Sequence, residues 1–587
     1  MSTTTAPASL IAGSSAIDHT GDAARPGPSG GRRQFPIGAH AAALALVLLA
    51  FLPIVGTHGI VNADEGAAIV EAQQVARGHG WITPYAFASI DHTQEAFPFE
   101  RADVGARGRA AFVKHPGYVL LLAGADRMGG VAAMFVLSVL GTVLAAFFAA
   151  LLADLFAPGL ARPSLWFVGL ASPLLFDGYQ VLAHSCAAAC AALATWGVLR
   201  ALESRHGRYV LAACLAVMAG TGLRSEFLVL AVALGVATLV HAVVRRDRLA
   251  VGIGVGVVAA AAFANWCEHL AMRAVLGRPV AILAVPAAAD GWLDDRVAAV
   301  RSTLLSPGGG TGSAGRILVL LLVSVVTLAV LLRARPRETP MVVGACLLVT
   351  ACALALVAGG VRMVPGLLVA CPLLGTGLAL LRWRQLERAP RLLLAVVAGY
   401  VVGIVLTQYA VGGGVEWGGR YFALALPLAC PLVLLGLARA VGGVTPGTRA
   451  LVVVSLVLAA VAPSVVATRV VRREHRFADA LVASIRRVTS SAVPGDGGKP
   501  VVVSRESLLA RESWPLAAST RFLLPPRGRS AEFLERLTGL GIREVVVVGR
   551  GALPRVEYAG SGFRVRRSGY LGLGRQWCYA ILRRTDG

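Results

Sequence analysis

Charge is scarce in this chain. Only 15% of its 587 residues are Asp, Glu, Lys or Arg, against 56% hydrophobic residues and a mean hydropathy of +0.70. A soluble globular domain carries about 25% charged residues, so this balance excludes one for most of the chain. Acidic groups are the scarcer sign, 32 against 55 basic, which leaves a formal net charge of +23. The basic groups are almost all arginine and sit in short clusters between apolar runs. No basic stripe could follow a nucleic-acid backbone, and the placement reads instead as orientation signal and lipid-phosphate contact. Cysteine is sparse too. Eight of the nine, Cys186 through Cys430, lie in or beside apolar runs and only Cys578 falls in the polar tail, which excludes a disulfide framework or metal-ligand spacing. Cys186 and Cys190, one helical turn apart, read as small residues in a packed helix. No internal repeat of the kind transporters often carry is visible.

Long apolar runs, by contrast, are abundant, and they define an α-helical polytopic membrane protein. Residues 1–36 are rich in Ser, Thr, Ala, Pro and Gly and end in Gly31-Arg32-Arg33, the composition of a disordered cytoplasmic tail rather than a secretory signal. The first span runs from Ile37 to Gly56. Others are predicted near 130–153, 163–181, 185–202, 208–222, 225–244, 249–270, 315–333, 340–360, 363–381, 391–411, 420–440 and 449–468, each judged against the roughly 20 apolar residues that a bilayer core requires. The stretch 116–127 is too short and reads as a juxtamembrane helix. Threaded this way, thirteen spans place Arg162, Arg205 and Arg208, Arg245 to Arg248, Arg333 to Arg337 and Arg382 to Arg391 together on the cytoplasmic side of the cell (plasma) membrane, with the amino terminus inside. The transmembrane domain covers 37–470. Its first outer loop, 57–129, contains juxtamembrane helices; its second, 271–314, carries Asp290, Asp294, Asp295 and Arg296 and could shape an acceptor groove or a lid. Residues 471–587 form a small extracytoplasmic α/β domain, with strand patterns at 500–504, 544–549, 562–567 and 577–583 and a helix near 529–539.

Directly after the first span comes Asn62-Ala63-Asp64-Glu65-Gly66. Asn62 and Glu65 have the spacing of a helix cap, and Asp64 falls in a first turn where the helix dipole favours a carboxylate, so both acids have a structural reading beside a catalytic one. The loop ends in Lys114-His115-Pro116-Gly117-Tyr118. Lys114 could bind a phosphate as a point charge or merely snorkel to the interface. Asp177, Tyr179 and His184 cluster where a span surfaces. Arg224-Ser225-Glu226, between two apolar helices, is either a structural ion pair or an anion site. In Gly412-Gly413-Gly414-Val415-Glu416-Trp417-Gly418-Gly419-Arg420-Tyr421 the glycines permit close backbone approach, and Arg420 at a helix mouth can meet a phosphate; a flexible turn with interfacial aromatics is the plainer account. A carboxylate, cations and aromatic rings at a membrane face suit a reaction on a lipid-borne anion.

Taken in order, the motifs resemble those of the GT-C glycosyltransferases. They are Asp-Glu-Gly after the first span, Ala-Arg-Gly-x-Gly-Trp-x-Thr-Pro, Lys-His-Pro-x-Tyr, Leu-Arg-Ser-Glu, a Ser-Pro-Gly turn and a late Gly-Gly-Arg-Tyr. Within that superfamily the chain looks most like the branch of protein O-mannosyltransferases and lipid A aminoarabinose transferases, over residues 37 to 470. The Lys-Pro-Pro motif of that branch stands here as Lys114-His115-Pro116-Gly117, departing in its second half. The resemblance implies transfer of a sugar from a polyprenyl-phosphate donor to a cell-envelope acceptor (glycan, lipid or protein) on the outer face, with inversion. Asp64 would be the base with Glu65 beside it, and Lys114, Arg224 and Arg420 would hold the donor phosphate. Substrate contacts are expected from His115, Tyr118, Asp177, His184, Glu226, Glu416 and Tyr421. No cofactor is required by the sequence, and room remains for a divalent metal. The rival reading is a polytopic transporter or lipid-linked glycan flippase. Transporters concentrate ionisable groups within spans, whereas here they gather in loops and at span ends.

Overall fold

A computed structural model of the protein describes residues 36–99, 109–112, 114–276, 291–306, 344, 347, 350–351, 365–407, 417–442, 445–492, 498–551, 561–573 and 576–585. Among them, eight helices are long and apolar enough to cross a membrane: Ile37–Val55, Pro116–Asp154, His184–Ser204, Glu226–Arg245, Arg248–Val275, Arg388–Thr407, Arg420–Val441 and Val452–Ser490. Gly207–Leu223 is a shorter apolar helix. The helices share one core, in which the faces of Ile37–Val55, Pro116–Asp154, His184–Ser204 and Leu426–Val441 interlock.

Two of the thirteen expected spans are interrupted helices. The span predicted at 163–181 is a helix of only 11 residues, Ala161–Ala171, followed by extended Ser172 and a four-residue turn of helix, Leu174–Asp177. The span predicted at 363–381 is likewise split at Cys371, between Leu367–Ala370 and Pro372–Ala379. Both breaks fall at the residue before a proline, whose ring clashes with a preceding α conformation. The spans predicted near 315–333 and across most of 340–360 lie outside the described residues. Pro116–Asp154 is not one straight rod: Gly129 and Gly130 leave helical geometry, with Gly130 at φ 64°, so the chain turns between 116–127 and 130–153.

The composition changes at residue 470, but the structure does not divide there. Pro446–Ser490 is a single helix of 45 residues, about 68 Å long at 1.5 Å per residue. Its far end buries Leu481, Ile485 and Val488 against the C-terminal sheet. Each such side chain, fully buried, contributes about 1.5–3 kcal/mol.

That sheet has five strands: β1 (Val501–Ser504), β2 (Arg521–Leu523), β3 (Glu544–Arg550), β4 (Phe563–Tyr570) and β5 (Trp577–Arg584). They lie in the order β2-β1-β3-β5-β4, with β1 parallel to β2 and β3, and β5 antiparallel to β3 and β4. Alternation sorts the faces. Val502, Val546 and Val548 pack on the long helix, while Val501, Val503, Val545 and Val547 pack on the helix Ser530–Thr538 through Phe533, Leu534 and Leu537. The outer strand β4 exposes Arg564, Arg566 and Arg567, charges that discourage pairing with another edge.

The tail is not a separate body. Phe97, Phe99 and Ala111 of the first loop complete one face of the sheet, Phe87 and Ala96 complete the other, and Leu524 donates to the carbonyl of Ala96 at 2.9 Å. First loop and C-terminal sheet are one unit, and that union builds the site.

Candidate functional site

The helix Ala63–Ala76 begins where the sequence places it. Asn62 Oδ1 accepts from the backbone N–H of Asp64 at 2.8 Å and of Glu65 at 3.3 Å, while Glu65 Oε1 accepts from Asn62 N–H at 3.0 Å and Val61 N–H at 2.8 Å. This is a complete capping box. Glu65 Oε2 accepts from Val181 N–H at 2.8 Å, and the side chain is fully buried. Glu65 therefore ties the first-loop helix to the segment before His184. Its pairing with Asp64 in the chemistry gives way to this structural part, because both oxygens face backbone donors beneath the surface.

Asp64, one residue earlier, points the other way and keeps 21% of its side chain exposed. Three cations from three distant segments converge on it. Lys114 Nζ lies 3.6 Å from Oδ2, Arg420 Nη1 lies 3.5 Å from Oδ2 and Arg511 Nη1 lies 3.4 Å from Oδ1. Partial burial works against ionisation of Asp64, but Lys114, Arg420, Arg511 and the more remote Arg224 together outweigh it and hold the carboxyl below its ordinary range.

Each cation is placed by its own backbone feature. His115, next to Lys114, sits at φ 52°, a left-handed conformation that costs a side-chain-bearing residue energy, and its ring Nδ1 meets Glu268 Oε1 at 3.1 Å. Arg420 opens the short helix Arg420–Ala425 directly after Gly418 and Gly419, at φ 79° and 70°. A Cβ at Gly419 would come within 2.6 Å of the Thr303 carbonyl, so this close approach requires glycine. Arg511 belongs to the turn of helix Leu509–Glu512 after β1. Its carbonyl oxygen lies where a Cβ on Gly66 would stand, 1.9 Å away. Gly66 thus lets the C-terminal domain dock on the first-loop helix.

A second cluster lies beside the first. Arg224 donates from Nε to Glu226 Oε2 at 2.9 Å, pairs through Nη2 with the other carboxylate oxygen, and donates from Nη1 to His184 Nε2 at 2.6 Å. It acts on Asp64 through its charge. His184, Glu226, Asp177, Tyr118 and Tyr421 are all nearly inaccessible. These five were expected to touch substrate; as placed, they form the packed layer beneath the site, with Tyr118 and Tyr421 in the apolar core. Tyr421 contributes its ring to Arg420, whose guanidinium lies 5.1 Å from the ring centre. His115 is half-buried at the margin. Glu416 lies outside the described residues. So do 277–290 and 307–314 of the second outer loop and Gly412 to Gly414.

The structure brings Asp64, Lys114 and Arg420 together and adds Arg511, which the sequence analysis did not single out. No local signal marks Arg511; the nearest clue is Gly66, a glycine inside a helix, which indicates close approach by something. Among the described residues no three His, Cys, Asp or Glu side chains come together as a metal-holding group. The arrangement offers one ionised carboxylate, partly open, with cations positioned to receive an anion.

No protein-family model matches the chain. No curated protein matches it either. Among solved structures, the chain is similar to ArnT from Cupriavidus metallidurans bound to undecaprenyl phosphate, at 14% identity and a TM-score of 0.44, covering 93% of this chain and 97% of that one. The apo state of the same protein gives 14% identity and a TM-score of 0.45 over the same shares. The Archaeoglobus fulgidus oligosaccharyltransferase tethered to an acceptor peptide gives 12% identity and a TM-score of 0.48, covering 88% of this chain and 69% of that one.

Proposed function

We propose that the protein is a membrane glycosyltransferase that moves a sugar from a polyprenyl-phosphate donor to an acceptor hydroxyl on the outer face of the membrane. The observation that carries this reading is Asp64 with Lys114, Arg420 and Arg511 all within 3.6 Å. A base alone would suit many reactions. A base set among cations from three segments suits a reaction in which an anion departs next to the proton being taken.

In the proposed step the acceptor oxygen attacks the anomeric carbon as the bond from that carbon to the phosphate oxygen breaks. The bonding pair leaves with the phosphate, and the hydroxyl proton passes to Asp64. The phosphate gains negative charge as it departs, so Lys114, Arg420 and Arg511 hold it more strongly in the transition state than in the bound donor. As the phosphate engages these cations, Asp64 loses part of the field that keeps its pKa low and becomes a stronger base at the moment one is needed. Glu65 and Glu226 are engaged by backbone N–H groups and by Arg224. Single displacement assisted by Asp64 is therefore the route these residues favour, with inversion at the sugar.

The test is sugar transfer by purified protein in liposomes, with a panel of radiolabelled polyprenyl-phosphate sugars and a cell-envelope extract as acceptor. Asp64→Asn should lower transfer by about 10²–10⁴-fold while leaving the protein folded. Normal transfer by that variant removes Asp64 from the mechanism. Lipid translocation without transfer from any donor would replace the transferase reading with a flippase.

A further inference from the structure

A cleft of about 620 Å³ opens where the first loop meets the C-terminal sheet. Its volume lies within the range of about 300–1,000 Å³ that is usual for ligand sites. Its position follows from the topology. The walls are the segments leaving the carboxyl ends of β1 (Arg505, Glu506, Ser507) and β2 (Leu524 to Arg527). These two strands are parallel, and the chain passes from β1 to β2 on one side and then crosses to β3 on the other. Ligands of open α/β sheets bind outside the carboxyl ends of the strands; the reversal here lies between β1 and β3, and the cleft shares its β1 side.

The cleft is built rather than left over. Ser504 Oγ donates to the Glu506 carbonyl at 2.7 Å and accepts from Glu506 N–H at 3.0 Å, and Arg505 N–H donates to the Val548 carbonyl at 3.0 Å, which fixes the β1 wall. On the first-loop side, Arg109 lies over the Phe97 ring at 5.9 Å and donates to the Thr93 carbonyl at 3.3 Å, which restrains the side chain. The lining presents Arg109, Arg505 and Arg527 against Glu95 and Glu506. Both acids are already engaged: Glu95 pairs with Arg529, and Glu506 Oε1 accepts from Arg550 N–H at 3.1 Å. The proline rings of Pro525 and Pro526 supply apolar faces beside them.

Flat guanidinium forks match carboxylates and neighbouring hydroxyls, and ring faces match the C–H faces of sugars. We propose that this cleft binds an acidic saccharide chain, one whose sugars carry carboxylate or phosphate groups. On the transferase reading, to which this adds the substrate class, it is where an acceptor polymer docks. The segment that forms its wall continues, four residues after Ser507, into Arg511 beside Asp64.

Binding can be measured without any transfer, on the full chain in nanodiscs, by titrating a hexamer of galacturonic acid, neutral maltohexaose and inorganic polyphosphate. The acidic hexamer should bind, and maltohexaose should bind about tenfold more weakly or not at all. Arg527→Glu, at an exposed position, should weaken the acidic hexamer by about tenfold or more. Ser507→Trp should block it sterically with the charge unchanged, and Asp64→Asn should leave binding intact whether or not transfer is found with any donor. The proposal is overturned if the acidic hexamer does not bind, if both cleft variants bind it like the wild type, or if polyphosphate binds as tightly and is equally blocked by Ser507→Trp, which would make the cleft an anion patch with no saccharide selectivity.

Discussion

Arg511 and Asp64 are separated by 447 residues and joined by an ion pair of 3.4 Å. One comes from the C-terminal domain and the other from the loop after the first span, so the candidate centre does not exist until both ends of the chain have folded together. Arg511→Ala should leave the fold intact and lower transfer by weakening the hold on the phosphate, about 10- to 100-fold for the loss of one charge-assisted contact. Gly66→Ala should reproduce that loss with Arg511 still present, because its Cβ would overlap the Arg511 carbonyl. Transfer assays on both variants, beside thermal unfolding, check this; full activity in Gly66→Ala would show that the docking is dispensable.

The pH dependence of transfer should report the cations around Asp64. Its folded pKa is lowered, so the carboxylate stays ionised throughout the neutral range and the acid limb of kcat/KM lies below the ordinary value of 3.8. By linkage, the same shift stabilises the fold above the unfolded pKa and is lost as pH falls through the folded one. Lys114→Met removes the largest of the lowering influences. The acid limb should move upward, read from the shape of the profile between about pH 3 and 7 rather than its height. A limb that stays fixed would show that Lys114 does not set the ionisation of Asp64.

Glu65→Gln isolates the structural acid. The wild-type carboxylate accepts from three backbone N–H groups. An amide turns one of those acceptors into a donor facing a donor, and the cost should be about 1–3 kcal/mol. Thermal unfolding in detergent should show the loss, and Asp64→Asn, whose carboxylate is partly exposed, should lose less.

Glu71 gives a sign test of a different kind. Burial pushes its pKa from 4.5 up to about 8, against the lowering influence of the Ala111 and Phe112 N–H groups and Thr83. The folded state therefore holds a proton that the unfolded chain releases near 4.5, and the associated stability, complete below that pH, is lost as pH rises toward about 8. Glu71→Gln, neutral at every pH and still able to accept from Ala111, should flatten this slope and be more stable than the wild type at alkaline pH. Unfolding midpoints across the window decide it.

What the sequence discloses here depends on the range of the interaction. The Asn62–Glu65 cap, the strands after residue 500 and the convergence of Asp64 with Lys114 and Arg420 are legible because a spacing, an alternation or a motif marks each. The breaks at Ser172-Pro173 and Cys371-Pro372 were equally legible as pre-proline positions, but the apolar run around each masks the stop. The continuation of the last long helix past residue 470 was hidden by a composition change that a helix can cross, since its later turns exchange lipid contacts for the sheet face. Arg511 was illegible in principle from a single chain: nothing near it in sequence differs from any exposed arginine, and its meaning comes from a partner at the other end.

The 45-residue helix Pro446–Ser490 is longer than a bilayer is thick, about 68 Å against a hydrocarbon core of about 30 Å. One end therefore stands in lipid while the other carries the sheet and, through it, Arg511. Such a rod meets a change in bilayer thickness by tilting. Because the first loop and the sheet pack together as one unit, Arg511 and Asp64 ride on that rod together, and a tilt that resettles the protein in lipid leaves their pairing intact.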